Sequence, residues 1–152
     1  LNLEEIVMLI AIFGESCTGK STLASALKER LGAKVYSGKD FLRLAKNEAS
    51  AKQAFQQELK AAVTEGCLIY VISEKEHLSL LPDGTVRVLV TADLETIKER
   101  FAARMHGNLP PPVAAMLERN HGSFDSEPHD FHMVSGQTDP EELCDQLVSM
   151  AK

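Results

Sequence analysis

The chain has 152 residues, 44% apolar and 25% charged, with a net charge of −6. That composition predicts a single domain over residues 1–152, able to bury an ordinary core without disulfides or structural metal. An acidic balance excludes the broad basic face that long nucleic acid requires, so any positive field is local and suits a small anionic ligand.

Residues 6–13 are a nearly unbroken apolar run, as in a central parallel strand covered on both faces. The run is too short to span a bilayer and follows Glu4 and Glu5, which argues against a signal peptide, an anchor or a membrane partner. Gly14-Glu15-Ser16-Cys17-Thr18-Gly19-Lys20-Ser21 comes next, and then Leu23, Leu27 and Leu31 recur at helical spacing before a stop at Gly32. Residues 33–37 read as a second strand. Phe41 to about Ala45 opens a helix, and Ala51 to about Thr64 forms a better one, ended by Gly66. Residues 67–72 are a third buried strand. Pro82-Asp83-Gly84 marks a turn before a fourth strand over 86–90. Asp93 caps a helix carrying Leu94, Ile97, Phe101 and Met105. Three prolines at 110–112 interrupt, residues 113–118 are a short helical piece, and residues 119–130 are polar and irregular. A fifth strand over 131–134 precedes a last helix with Thr138 and Glu141 at capping-box spacing, Pro140 at a permitted early position, and a buried stripe of Leu143, Leu147 and Met150. Alternating strands and helices predict an α/β fold, a parallel sheet with helices on both faces and a ligand beyond the carboxyl ends of the strands.

The loop at 14–21 is a complete G-x-x-x-x-G-K-S pattern in its required setting of strand, loop and helix. Its glycines let successive backbone N–H groups point at phosphate oxygens, Lys20 neutralises the outer phosphates, and the Ser21 hydroxyl serves Mg²⁺. ATP and Mg²⁺ are the implied ligands, with residues 14–22, Thr22 included, as the donor site. Asp40 and Arg43 follow the second strand at helical spacing, where Arg43 can fork onto an anionic acceptor and Asp40 can orient a hydroxyl or a metal-bound water. Arg100, Arg104 and Arg119 are candidates for stabilising the charge-rich transition state of phosphoryl transfer, on a lid-like segment near 104–130. Glu74, just past the third strand, is a candidate for holding Mg²⁺ through water. His106, His121, His129 and His132 lie near Asp125 and Asp130 and read as a solvated loop rather than a metal site. Three scattered cysteines (Cys17, Cys67 and Cys144) without paired spacing suit reduced thiols in a cytoplasm, with Cys17 filling a small position in the loop.

With its trailing Thr22, the loop resembles that of the P-loop nucleoside and nucleotide monophosphate kinases, in the grouping of adenylate, cytidylate and shikimate kinases. The stretch Ser37-Gly38-Lys39-Asp40-Phe41-Leu42-Arg43 is similar to the S/T-G-D-M-L-R segment of adenylate kinases, although Lys39 is an extra residue within it. No D-G-F-P-R segment follows the third strand, where Ile72-Ser73-Glu74-Lys75-Glu76 stands instead. The resemblance implies a five-stranded parallel sheet of order 2-3-1-4-5. It also implies that Gly136-Gln137-Thr138 lies against the nucleotide base and that Arg43 grips an acceptor phosphate.

The function expected is therefore an ATP-dependent phosphotransferase acting on a small acceptor, first a nucleoside monophosphate and next a shikimate- or gluconate-like hydroxy compound. A nucleotide-binding module with little transfer activity is a further reading. A GTPase switch is disfavoured, since N/T-K-x-D and D-x-x-G are both missing. The sequence is silent on oligomeric state.

Overall fold

The computed structural model describes residues 7–150. Five parallel strands form one sheet in the order β2-β3-β1-β4-β5, as the resemblance implied. They are β1 (Met8–Phe13), β2 (Lys34–Ser37), β3 (Cys67–Ile72), β4 (Val86–Thr91) and β5 (Phe131–Val134). The α-helices are α1 (Lys20–Leu31), α2 (Glu48–Glu65), α3 (Leu94–Arg104), α4 (Pro111–Asn120) and α5 (Pro140–Met150). The expected start of the first strand, with Glu4, Glu5 and Ile6, lies outside the described residues.

The apolar run of β1 is buried at every position because both faces of the sheet are covered. Period-two alternation divides it between two cores. Met8, Ile10 and Ile12 face α1 and α5, packing with Leu23, Leu27, Leu143 and Leu147. Leu9, Ala11 and Phe13 face α2 and pack with Phe55, Leu59 and Tyr70. Most of the aromatic residues are spent on that second core. Phe55 stacks on Phe41 with ring centroids 5.1 Å apart and meets Tyr36 and Tyr70 edge-on, each at 4.8 Å. A third, smaller core joins Cys17 to Ala92, Ile97 and Leu117, so that α3 and α4 pack against the back of the phosphate loop.

Several boundaries differ from expectation, each for a local reason. Residues Asp40–Leu44 form a 3₁₀ helix rather than the start of an α-helix. α2 begins three residues before the expected Ala51, because the Asn47 side chain accepts from the Ser50 N–H at 2.8 Å and caps the first turn. α4 runs on to Asn120, so Arg119 is helical and not in an irregular stretch. Thr138 does not cap the last helix: its hydroxyl accepts from the Val134 N–H at 2.9 Å. Asp139 takes the capping role, its carboxylate accepting from the Glu141 N–H at 3.0 Å and its carbonyl from the Leu143 N–H at 3.1 Å. Gly32 ends α1 as expected, in the left-handed region at φ 65°, with its N–H on the Lys28 carbonyl.

Candidate active site

β1 delivers the chain to the middle of the sheet's carboxyl edge, and residues 14–19 wrap from there into α1. The wrap needs glycine at both ends. A Cβ on Gly14 would stand 2.1 Å from the Val90 carbonyl oxygen, so only a bare backbone passes β4 this closely. Gly19, at φ 105°, turns the loop into the helix in a conformation that L side chains resist. Cys17 is also left-handed at φ 64°, and its buried side chain plugs the small core under α3 and α4. The Thr18 hydroxyl donates to the Glu15 carbonyl at 2.9 Å and closes the loop on itself.

Lys20 is only 5% exposed. Its Nζ donates to the Gly14 carbonyl at 2.9 Å and to the Glu15 carbonyl. Burial lowers its pKa from the usual 10.5 to about 8; Cys17 opposes this shift, Arg104 adds to it and Glu15 opposes it. A cation stripped of water and resting on two carbonyls, at the mouth of a helix with no acid in its first turn, fits a polyphosphate. Ser21 and Thr22, in the first turn of α1, offer hydroxyls to a cation that keeps most of its ligands as water and phosphate, which fits Mg²⁺.

A cavity of about 940 Å³ opens in front of this loop. Ser16 to Thr22 form its floor, Arg100 and Arg104 line it from α3, and residues 135–140 close its far end. Arg100 ties two of these parts together: Nη1 donates to the Cys17 carbonyl at 3.0 Å and Nη2 to the Ser135 hydroxyl at 2.8 Å. Gly136, Gln137 and Thr138 do line the cavity.

A second cavity, about 300 Å³, lies behind the loop. It shares Ser16 and Ser73 with the first. Glu15, Lys75, Asn120 and Ser123 give it polar groups, and Phe101, Met116, Leu117 and Phe124 give it an apolar wall. Lys75 is also paired with Glu127 at 3.6 Å.

Of the residues singled out from sequence, the loop, Arg100 and Arg104 come together around the large cavity. Asp40, Arg43, Glu74 and Arg119 line neither cavity. The Asp40 carboxylate accepts from the Ser37 N–H at 2.9 Å, and Arg43 Nε donates to the Asp40 carbonyl at 3.2 Å, so both are folded onto their own turn. Glu15 points its carboxylate at the end of α4, accepting from the Gly122 N–H at 3.0 Å and contacting His121 Nδ1 at 3.1 Å. That contact ties the end of α4 to the loop, and no local pattern announced it because the partners are over a hundred positions apart. Ser73 was also missed; its place as the first residue after a central strand was the available signal. Of the other histidines in that stretch, His106, His129 and His132 are exposed, with His129 on the Glu127 carbonyl and His132 on the Thr91 hydroxyl. Among the described residues, no helix is long and apolar enough to cross a membrane.

No protein-family model matches the chain. Among curated proteins it is similar to the adenylate kinase of Pyrococcus horikoshii, with 28% identity over 109 residues. Those cover 72% of this chain but 43% of the adenylate kinase, so the chain spans less than half the length of that relative. Among solved structures it is similar to shikimate kinase from Acinetobacter baumannii, in complex with shikimate, with TM-score 0.64 and 14% identity over 96% of this chain and 93% of the other. A gluconokinase from Sinorhizobium meliloti gives TM-score 0.59 and 13% identity over 97% and 93%.

Proposed function

We propose that this chain, which has the fold of the P-loop kinases grouped around adenylate and shikimate kinases, is an ATP-dependent phosphotransferase with a small-molecule acceptor. The observation that carries the proposal is a pair of cavities that share Ser16 and Ser73 in their linings, the larger also lined by Lys20. The larger suits a nucleoside triphosphate and the smaller suits an acceptor. Such an arrangement supports group transfer more than simple nucleotide binding, which needs one cavity only.

In this reading the amides of residues 14–19 and Lys20 hold the donor phosphates, and Gly136-Gln137-Thr138 flank the base. Ser21 would hold Mg²⁺, which when bound would supply neutralising charge for the donor phosphates. Arg100 and Arg104 reach the same cavity from α3, where guanidinium groups stabilise the charge that builds on a transferring phosphoryl group. Arg100 is preorganised for this, being already fixed to the loop and to Ser135. Arg119 and the segment near 104–130 would act as a lid only after moving, since α4 now packs on α3. Asp40 and Arg43 would similarly reach an acceptor only by leaving their own turn.

The first acceptor to try is a nucleoside monophosphate, in keeping with the adenylate kinase likeness and with Lys75 as a cation in the smaller cavity. The size of that cavity, about 300 Å³, favours a second reading, a compact hydroxy acid or polyol. Incubation with Mg-ATP and a panel of nucleoside monophosphates and small hydroxy acids, monitored for ADP, tests both. Stimulation by one acceptor class supports transfer and identifies the class. Tight nucleotide binding with no stimulation by any acceptor refutes it.

A further inference from the structure

Immediately after β3, the chain carries a group of side chains that the proposed transfer leaves unused. One carboxylate oxygen each from Glu74 and Glu76 and one ring nitrogen of His77 lie within 4.8 Å of one another. His77 is 6% exposed, and its Nδ1 is buried with no hydrogen-bond partner. Leaving a buried polar atom unmatched is costly enough that native folds seldom keep one without use for it.

The local structure explains how the three come together. Residues Lys75–Leu80 form a 3₁₀ turn whose first N–H bond runs from His77 to the Glu74 carbonyl at 3.0 Å, placing positions 74 and 77 on one side. The imidazole is wedged against Phe41 and Tyr70, with ring centroids 6.1 and 6.3 Å away, so its direction is set by the core. Both glutamates are exposed and free to rotate onto a common point. Lys75 stands between them in sequence but pairs with Glu127 instead, so it does not neutralise them.

We propose that Glu74, Glu76 and His77 form a binding site for a divalent first-row transition ion, zinc foremost, separate from the magnesium site of the phosphate loop. Two carboxylates supply the charge to match a dication, and an imidazole nitrogen ligand selects zinc-like ions over magnesium. Ligand bonds of about 2.0–2.2 Å require ligand atoms to close to roughly 3.5 Å apart, which modest rotation of two surface glutamates achieves. None of the three lines the large cavity, whereas their neighbours Ser73 and Lys75 line the smaller one. A bound ion therefore stiffens the turn that presents those two residues to the acceptor.

The test uses chelator-treated full chain without nucleotide, titrated with zinc chloride by calorimetry and with cobalt(II) in the visible range. Wild type should take up one equivalent, retain it in millimolar magnesium, and show cobalt absorption that His77→Gln removes. Glu76→Gln alters only an exposed side chain and should weaken zinc binding at least tenfold, which keeps the test valid if His77→Gln does not fold. Lys20→Ala should bind zinc as wild type does, so loss of the kinase reading leaves this result unaffected. Zinc affinity unchanged by Glu76→Gln, or no stoichiometric uptake, overturns the site.

Discussion

Nucleotide binding by this chain should be accompanied by proton uptake at Lys20. In the free protein, burial holds the Lys20 pKa near 8 against an ordinary 10.5. A polyphosphate seated on the loop favours the charged ammonium and returns the pKa toward or above its ordinary value. Kd then carries a factor of 1 + 10^(pH − 8). This makes Kd rise about tenfold between pH 7 and pH 9, equivalent to about 1.4 kcal/mol of binding free energy. Proton uptake should be about 0.1 per site at pH 7, about 0.5 at pH 8 and about 0.9 at pH 9. Calorimetry with a non-hydrolysable Mg-ATP analogue in two buffers of different ionisation enthalpy reads both quantities. Lys20→Ala should bind weakly and without this pH dependence. A Kd that is flat from pH 7 to pH 9, with no buffer-dependent heat, would refute the reasoning.

Burial of Lys20 also makes stability depend on pH. The unfolded chain keeps its Lys20 proton up to pH 10.5 while the folded chain gives it up near 8, so the nucleotide-free protein gains stability relative to Lys20→Met as pH rises through that window, by roughly 3 kcal/mol in full. Denaturant unfolding of both chains at several pH values checks this. Arg104→Ala should lower kcat by about 10²-fold while changing the KM for ATP much less, because its charge is needed most as the phosphoryl group moves; steady-state kinetics reads the split. Phe55→Ala should cost about 3–5 kcal/mol of stability by denaturant unfolding, as a fully buried ring touching three other rings is lost. Glu15→Gln should loosen the end of α4, raising amide exchange at Gly122 by about tenfold, the equivalent of one charge-assisted hydrogen bond.

The sheet was legible from sequence because parallel strands buried on two faces leave continuous apolar runs; β1 and β3 each show one, and in β4 only Arg87 interrupts it. The course of the loop into α1 was legible because the glycines it requires, Gly14 and Gly19, fall within eight positions of one local pattern. Helix ends were less so. Asn47 and Asp139 cap through single side-chain bonds that compete with other plausible caps nearby, and Thr138 had a strand amide to satisfy instead. The rest of the site was hidden because it is built by long-range packing. Nothing near Ser73 or Lys75 in sequence says that α4 and Phe124 will complete a cavity with them. Asp40 and Arg43 had suitable chemistry and spacing, yet their turn satisfies them internally.

Whether Lys20 and the loop around it grip a triphosphate decides the central claim. Calorimetric titration of wild type and Lys20→Ala with a non-hydrolysable Mg-ATP analogue at pH 7, on chains shown by circular dichroism to be folded, measures that grip. The expected result is one site per wild-type chain and a Kd at least a hundredfold weaker in the variant. Equal affinity in the two folded chains would contradict it.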